Sequence, residues 1–285
     1  MLLDKPGGLS SNAALQSVRR LYSAAKAGHT GTLDPLASGL LPLCFGEATK
    51  FSVDLLDADK TYEAEVQFGV TTDTGDAEGE VVERRPVSVD RSGLETVLAR
   101  FRGRQQQVPP MFSALKHHGQ PLYALARQGI VVDRQPREIT IHELVLLDLS
   151  GDRCRLRVTC SKGTYIRTLA EDLGWALACG AHLLALRRTA VAALSVEMAV
   201  TFDRLATLSD DERLAHLHAP DMLLLSLPAV VLPADLTQRF RHGNPVPSAG
   251  ELGKYRVYCS LGHLLGVGER DPSGILRPRR LISST

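Results

Sequence analysis

The segment spanning residues 28–42 constrains the fold more than any other part of the chain. It contains three glycines, two prolines and two threonines around a single acidic residue, Asp34. Glycine and proline favour turns, and threonine, serine and aspartate side chains hydrogen-bond to nearby backbone groups there. We therefore expect a shaped loop and neither a helix nor the interior of a strand. Leucines interleaved through the segment predict that the core anchors this loop and fixes the orientation of Asp34.

Residues 28–42 resemble motif II of the TruB family of pseudouridine synthases, which reads approximately G-H-T-G-x-L-D-P-x-A-x-G-x-L-P and is matched here at every fixed position. That family modifies the T-loop uridine of tRNA, at position 55. The resemblance implies that Asp34 is the catalytic aspartate. The residues alone also allow a structural turn in which Asp34 caps a backbone amide. Further segments resemble the same family: residues 3–6, 60–62, 161–168, 186–188 and 243–246.

Composition agrees with an enzyme that contacts RNA only through local patches. The chain has 285 residues, of which 44% are hydrophobic, so it can bury a sizeable core in more than one domain. Its net charge of +1 excludes the overall basic character of a small nucleic-acid-binding domain. No apolar signal segment and no run long enough to span a membrane occurs in the sequence. We expect a soluble, cytoplasmic protein.

The five cysteines form no C-x-x-C pair, and no histidine stands at ligand spacing beside them. This predicts reduced, mostly buried thiols and neither a disulfide framework nor a zinc site. The adjacent histidines His117 and His118 lack acidic or thiol partners nearby, so we expect no metal there either. An acidic segment at residues 73–79 lacks the spacing of a calcium-binding loop. It predicts a hairpin turn, in which one acid could pair with a basic residue near the active site.

Two segments predict strands that lead to candidate site residues. Apolar and polar residues alternate through residues 60–70, with Tyr62 at the head of the buried face. Residues 153–160 alternate in the same way and run into a turn and a helix, which places Tyr165 and Arg167 at a strand-to-helix junction facing a cleft. The residues alone also allow a simple core role for Tyr62. For Arg167 they allow an ordinary helical ion pair with Glu171.

Two helices can be located from their caps. Ser10, Ser11 and Asn12 are good N-caps for a helix with an apolar stripe at Leu15, Val18 and Leu21. A second helix is predicted to open at the capping box that begins with Ser92. Beyond about residue 227, short apolar runs alternate with glycine turns, which predicts a small β domain. Residues 228–285 hold eight Lys and Arg against four Asp and Glu, including Arg277, Arg279 and Arg280.

The resemblance assigns roles to the candidate residues. It implies that Arg167 pairs with Asp34 and keeps the carboxylate ionised, and that Tyr62 stacks on the flipped base and takes a ribose proton. Tyr165 and the backbone of Leu186 would complete the uracil pocket. His29 would enter the T-loop in place of the flipped base, and Lys5 would pack near the active-site loop. Whether Asp34 attacks ribose C1′ or uracil C6 stays open.

The sequence and the resemblance together predict an α/β (α+β) fold, with a mixed, largely antiparallel sheet, flanking helices and a central cleft. Residues 1–227 would form the catalytic domain, with an RNA-clamping insertion at about residues 105–135. Residues 228–285 would form a β-barrel-like domain of the PUA type that binds RNA. The expected partner is the T-arm of tRNA, with no cofactor, no metal, no membrane and no obligate protein partner, for a monomer. Two alternatives are a non-catalytic RNA-folding module and a hydrolase using His29 and Asp34, although that loop offers no plausible serine or cysteine nucleophile.

Overall fold

The computed structural model of the chain describes residues 1–283. Short 3₁₀ helices span Gly46–Phe51, Val196–Met198 and Pro220–Leu224. The α-helices are α1 (Ser11–Leu21), α2 (Ser52–Leu56), α3 (Arg91–Arg100), α4 (Leu122–Ala126), α5 (Ile166–Ala176), α6 (Phe202–Thr207), α7 (Asp210–Leu214) and α8 (Ala234–Arg241). The strands are β1 (Leu2–Lys5), β2 (Ala27–His29), β3 (Ser38–Phe45), β4 (Lys60–Phe68), β5 (Val70–Thr72), β6 (Val81–Arg84), β7 (Gly103–Gln107), β8 (Lys116–His117), β9 (Gln120–Pro121), β10 (Arg137–Ser150), β11 (Arg153–Cys160), β12 (Ala181–Val191), β13 (Leu194–Ser195), β14 (Val200–Thr201), β15 (Ala229–Leu232), β16 (Val246–Pro247), β17 (Gly253–Cys259), β18 (Leu264–Arg270) and β19 (Ile275–Leu281).

A large mixed sheet forms the centre of the molecule. Its strand order is β14-β1-β3-β12-β4-β11-β10-β7, with β13 paired to β12 and β2 paired to β3. Most neighbours are antiparallel, while β1 with β14 and β3 with β12 run parallel. Helices α3 and α5 supply buried residues to a core shared with β4, β10, β11 and β12. This architecture confirms the predicted fold class.

The alternating segments form adjacent central strands. In β11, Leu156 and Val158 are buried while the intervening arginines are exposed. Strand β4 lies between β11 and β12, and Tyr62 is opposite Val158 on one side and Arg188 on the other. The alternation therefore predicted these two strands correctly. The sheet order adds the contact between Tyr62 and Arg188, which joins residues far apart in the chain.

The prediction for residues 28–42 was wrong in part, because the segment is not loop throughout. Only the middle, residues 30–37, lies outside strands, while the ends belong to β2 and β3. Strand β3 is covered on both faces, so its interior residues are all buried and no alternation marks it as a strand. Gly39 is required here, since a Cβ would lie 2.3 Å from the carbonyl oxygen of Arg188 on the neighbouring strand.

The helix caps were predicted correctly in one case and wrongly in the other. Helix α1 begins after Ser10, whose side chain accepts a hydrogen bond from the amide of Ala13. Helix α3 begins after Asp90, not at a capping box on Ser92, and the Asp90 carboxylate accepts the amide of Gly93 at 2.7 Å. Aspartate caps as well as serine does, and the earlier start adds two residues to the helix.

The C-terminal residues form a second, five-stranded sheet with the order β15-β17-β18-β19-β16. Helix α8 covers it, and Phe240 is fully buried in its core. Val267 of this sheet also joins a cluster with Leu40 and Phe51 of the main body. Lys50 donates to the carbonyl oxygen of Leu281 at 3.0 Å. The second sheet is thus packed against the first through apolar and polar contacts.

No helix within residues 1–283 has the length and apolar character needed to cross a membrane. All five cysteines are buried and free, as the sequence predicted.

Candidate active site

The loop at residues 30–37, which connects β2 to β3, is called the Asp34 loop. A cavity of about 240 Å³ opens in the main body between the Asp34 loop, β4, β12 and the start of α5. Residues from five separate parts of the chain line it. Five of the seven predicted site residues are among them: Asp34, Tyr62, Tyr165, Arg167 and Leu186. The fold therefore brings these five side chains together around one space.

An ion pair between Asp34 and Arg167 forms part of the cavity wall. Nε and Nη2 of Arg167 each lie 3.0 Å from Oδ2 of Asp34. The side chain of Arg167 is only 5% exposed, whereas that of Asp34 is 42% exposed. The other guanidinium bonds go to the carbonyl oxygens of Thr74 at 3.1 Å and Phe112 at 2.6 Å. Arg167 is thus held in place by two backbone carbonyl groups, and it binds a carboxylate that is exposed to the cavity.

Asp76 is a second acidic partner of Arg167. Its carboxylate is buried, lies 3.5 Å from Nε of Arg167, and accepts the hydroxyl of Thr74 at 2.6 Å and the amide of Glu78 at 3.1 Å. It belongs to the predicted hairpin turn between β5 and β6, and it is the acid of that turn that pairs with a basic residue of the site. The guanidinium therefore lies between two carboxylates, one buried and one facing the cavity.

The helical ion pair that the sequence allowed between Arg167 and Glu171 does not form, because Arg167 is committed to Asp34 and Asp76. Glu171 is itself partly buried. Burial, followed by the nearby charge of Asp172, raises the pKa of the Glu171 carboxyl to about 7. This side chain therefore carries less than a full negative charge at neutral pH.

The Asp34 loop is held by hydrogen bonds at both ends. The hydroxyl of Ser11 accepts the amide of Leu33 at 2.7 Å and donates to the carbonyl oxygen of Leu33 at 3.0 Å. Arg188 donates to the carbonyl oxygens of Leu40 at 2.7 Å and Gly31 at 3.2 Å. Leu33 is itself buried. These contacts restrict the loop and thereby the direction of the Asp34 carboxylate.

The two tyrosines lie on rigid elements. Tyr62 is on the central strand β4, and burial raises the pKa of its phenol, an effect that the charge of Arg188 opposes. Tyr165 precedes α5, and its backbone is clamped by Gln107, which accepts the Tyr165 amide at 2.8 Å and donates to its carbonyl oxygen at 3.1 Å. Burial raises the pKa of the Tyr165 phenol as well. Both phenols are therefore neutral at pH 7.

Lys5 and His29 are not among the residues that line the cavity. Lys5 is fully buried and donates to the carbonyl oxygens of Pro6 at 2.8 Å and Leu9 at 2.7 Å. Burial lowers the pKa of its ammonium to about 8. The turn that Lys5 stabilises contacts the Asp34 loop, since the amide of Gly8 donates to the carbonyl oxygen of Pro35 at 2.8 Å.

His29 lies on β2, and its Nδ1 atom is buried without a hydrogen-bond partner among the residues that the structure describes. Burial and the charge of Arg188 lower the pKa of the imidazole. The ring is therefore neutral at pH 7.

Sequence reasoning missed three residues that line the cavity: Lys60, Ser113 and Arg188. Lys60 is buried and donates to the carbonyl oxygens at the end of α2, including that of Leu56 at 2.7 Å. Burial lowers the pKa of its ammonium to about 8. Ser113 is buried with no partner for its hydroxyl within residues 1–283. No alternation of apolar and polar residues marks the strand around Arg188, and only the strand order shows which residue Arg188 faces.

No group of three or more His, Cys, Asp or Glu side chains with the geometry of a metal site occurs in the described part of the chain. The rings of His117 and His118 lie edge to face with centroids 4.2 Å apart.

Three family models together match residues 19–282 of the chain. Residues 19–166 match the model described as TruB family pseudouridylate synthase (N terminal domain). Residues 167–237 match the tRNA pseudouridylate synthase B C-terminal domain, and residues 228–282 match the model named Pseudouridine synthase II TruB, C-terminal. The chain belongs to the TruB family of pseudouridine synthases. It is therefore an enzyme, and the reaction class is an isomerisation.

Curated relatives are similar over nearly the whole chain. One is the tRNA pseudouridine synthase B of Dechloromonas aromatica (strain RCB), 59% identical over 99% of this chain and 94% of the relative. Another is the tRNA pseudouridine synthase B of Burkholderia mallei (strain NCTC 10247), 57% identical over 99% of this chain and 96% of the relative.

Solved structures share the fold at lower identity. An H/ACA RNP bound to a substrate RNA containing 2′-deoxyuridine has a chain that aligns with a TM-score of 0.74 and 20% identity, covering 99% of this chain and 84% of its own. A Cbf5-Nop10-Gar1 complex has a chain that aligns with a TM-score of 0.72 and 24% identity, covering 94% of this chain and 77% of its own. At these identities the likeness concerns the fold alone.

Proposed function

We propose that this chain isomerises the T-loop uridine of tRNA, at position 55, to pseudouridine. The observation that carries the proposal is the ion pair of Asp34 and Arg167 at the wall of a cavity of about 240 Å³. A carboxylate held at fixed orientation is the group this reaction requires. The names of the curated relatives support tRNA as the substrate.

The reaction is a rearrangement within one nucleotide. The bond between ribose C1′ and uracil N1 breaks, the uracil turns, and a bond forms between C1′ and C5. The hydrogen on C5 leaves and N1 gains one, so no atom is added and no electron is exchanged with an outside reagent. The chain therefore needs no cofactor for this chemistry.

Asp34 is the proposed nucleophile, with C1′ and C6 both open as the atom attacked. A carboxylate in a partly dry cavity is destabilised by the loss of solvent. A guanidinium offsets that loss because it stays charged and binds the carboxylate through directed hydrogen bonds. Arg167 fills this role in the proposal, and Asp76 in turn holds Arg167 in place.

The target uridine is stacked within a structured loop, so it must be flipped out to reach the cavity. In the proposal the ring of Tyr62 stacks on the flipped base, while Tyr165 and Leu186 form the walls of the uracil pocket. His29 would occupy the space that the base leaves in the T-loop. Lys5 stabilises the turn whose Gly8 amide donates a hydrogen bond to Pro35 in the Asp34 loop.

The hydrolase alternative is not favoured by the geometry. It would need His29 beside Asp34 as a base. His29 lies on β2 outside the set of residues that line the cavity, and the carboxylate of Asp34 is bound to Arg167. The retained ion pair likewise argues against a module that binds RNA without acting on it.

The remaining expectations are part of the same proposal. Residues 1–227 act as the catalytic domain, the insertion at about residues 105–135 clamps the T-arm, and residues 228–285 bind RNA as a PUA-like domain. The enzyme works in the cytoplasm as a monomer without an obligate protein partner. Arg277, Arg279 and Arg280 contribute to the local charge, but each already contacts Asp271, Glu269 or the backbone of Lys50.

An unmodified tRNA transcript tests the proposed function directly. After incubation with the chain, carbodiimide derivatisation and primer extension should give one new stop, at the T-loop uridine. A transcript in which that uridine is replaced by cytidine should give none. Stops at other uridines alone, or no stop, would overturn the proposed substrate.

Replacing Tyr62 by phenylalanine should keep RNA binding and slow the chemical step. The ring that stacks on the base is retained, while the hydroxyl that takes a proton is lost. We expect the single-turnover rate to fall by about 100-fold, in the range typical of a lost general base. A single-turnover rate equal to that of the unchanged chain would exclude the hydroxyl from the mechanism.

Arg241→Gln should weaken tRNA binding without slowing chemistry at saturating enzyme. Arg241 is exposed at the end of α8 beside His242 and Ser260 in a groove of the C-terminal sheet, and it has no ion-pair partner within residues 1–283. If it contacts a phosphate, the slope of log affinity against log salt should fall in magnitude by about 1. The matched control is Arg279→Gln, whose charge is already paired with Glu269 at 2.8 Å. Equal, unchanged salt slopes for both variants would remove this surface from the RNA interface.

A further inference from the structure

Arg188 is a buried, permanently charged side chain without a carboxylate partner. It is 1% exposed. Nε donates to the carbonyl oxygen of Leu40 at 2.7 Å, and Nη2 donates to that of Gly31 at 3.2 Å. Within residues 1–283, no Asp or Glu oxygen lies within 4 Å of this guanidinium, although such pairs are found for Arg167 and Arg187. A buried charge is costly unless an opposite charge faces it, so an anion beside Arg188 would be strongly favoured.

The side chain positioned to become that anion is Tyr62. Arg188 on β12 is opposite Tyr62 on β4 in the register of the sheet, and both residues line the cavity. Burial raises the pKa of the Tyr62 phenol, and the charge of Arg188 acts against that rise. Burial thus disfavours ionisation of the Tyr62 hydroxyl, and the guanidinium of Arg188 favours it.

The titratable groups facing Tyr62 from the other elements act in the opposite sense. Asp34, from the loop, and Cys160, from β11, both disfavour a negative charge on the phenol. Lys60 on β4 also lines the cavity, but burial lowers the pKa of its ammonium to about 8. A guanidinium retains its charge at any pH at which the protein is folded. Arg188 is therefore the neighbouring cation whose charge continues to favour ionisation of the Tyr62 phenol as the pH rises.

We propose that Arg188 is a positioning residue for the reaction, whose guanidinium stabilises the anionic form of Tyr62 while a proton is transferred in the cavity. This rests on the proposed function, in which Tyr62 takes a proton. The phenol first gives its own proton to water. The C–H bond of the rearranging nucleotide then breaks, its electron pair stays with the nucleotide, and the proton forms the new O–H bond of Tyr62.

The ionisation of Tyr62 can be measured without substrate. The chain is labelled with 3,5-difluorotyrosine, whose fluorines withdraw charge and bring the phenol titration towards neutral pH. The fluorine resonance of Tyr62 is assigned by its loss in Tyr62→Phe. In Arg188→Gln the titration midpoint of Tyr62 should rise by about one pH unit or more. The matched control is Arg187→Gln, because Arg187 pairs with Asp4 at 2.7 Å and does not line the cavity.

Arg188→Lys provides a second variant if Arg188→Gln does not fold. It keeps a positive charge below its own pKa, so a smaller rise in the Tyr62 midpoint is expected. Midpoints that match the unchanged chain in the folded Arg188 variant would overturn the proposal. A rise of the same size in Arg187→Gln would also overturn it, since the effect would then not depend on the facing guanidinium.

The catalytic consequence is tested by combining variants. Arg188→Gln should lower the single-turnover rate by about 100-fold when Tyr62 is present. In the Tyr62→Phe background the same change should lower it by less than about threefold, because the guanidinium acts through the hydroxyl. An equal fold-decrease in both backgrounds would assign Arg188 to bracing the Asp34 loop and overturn the proposal. A shifted Tyr62 midpoint in a chain that forms no pseudouridine would instead contradict the proposed function and leave the Arg188–Tyr62 coupling in place.

Discussion

An Asp34→Asn variant should bind tRNA as tightly as the unchanged chain and form no pseudouridine. Asparagine has nearly the same shape as aspartate and can still hydrogen-bond to Arg167, so the loop and the cavity should persist. The amide lacks the negative charge and nucleophilicity of the carboxylate. We expect the single-turnover rate to fall by at least about 10⁴-fold, as in other enzymes that lose the reacting group.

The measurement combines a binding isotherm with a single-turnover time course on the same transcript. Asp203→Asn serves as the matched control, because Asp203 is an exposed acid in the first turn of α6 and does not line the cavity. Its rate and affinity should equal those of the unchanged chain. Measurable pseudouridine formation by Asp34→Asn would contradict the nucleophile assignment.

An Arg167→Gln variant should lose both activity and stability. The guanidinium compensates the buried carboxylate of Asp76 and bonds to the carbonyl oxygens of Thr74 and Phe112. Removing one partner of a buried ion pair typically costs 3–5 kcal/mol, so we expect the free energy of unfolding to fall by roughly 3–5 kcal/mol. The single-turnover rate should fall as well, because Asp34 loses the group that holds it.

A second substitution separates the two losses. In Arg167→Gln/Asp76→Asn the uncompensated buried charge is removed, so part of the unfolding free energy should return. Activity should not return, because the partner of Asp34 is still missing. Denaturant unfolding measures the first quantity and single-turnover kinetics the second. An unfolding free energy for Arg167→Gln equal to that of the unchanged chain would contradict the contacts described here.

The parts of the fold that repeat locally were predictable from the sequence. Alternation located β4 and β11, and side-chain caps located α1, because these signals depend on neighbours a few residues away. Strand β3 was missed since both of its faces are buried and its residues do not alternate. The start of α3 was misplaced because two residues close together could each cap it.

Only the site residues that belong to family-specific motifs could be predicted from the sequence. Asp34, Tyr62, Tyr165, Arg167 and Leu186 were placed through their resemblance to a family, and the cavity contains all five. Pairings between distant segments had no such signal. Arg188 stands beside Arg187 in an ordinary basic pair, and only the order β12-β4 reveals that one of the two faces Tyr62.

The most direct test of the central claim is tritium release from a tRNA transcript labelled at uracil C5. C5 loses its hydrogen only when the new carbon–carbon bond forms, so release reports the rearrangement itself. We predict that the unchanged chain releases the tritium of one uridine per tRNA, that of the T-loop, and that Asp34→Asn releases none. No release by the unchanged chain, or equal release by Asp34→Asn, would contradict the account.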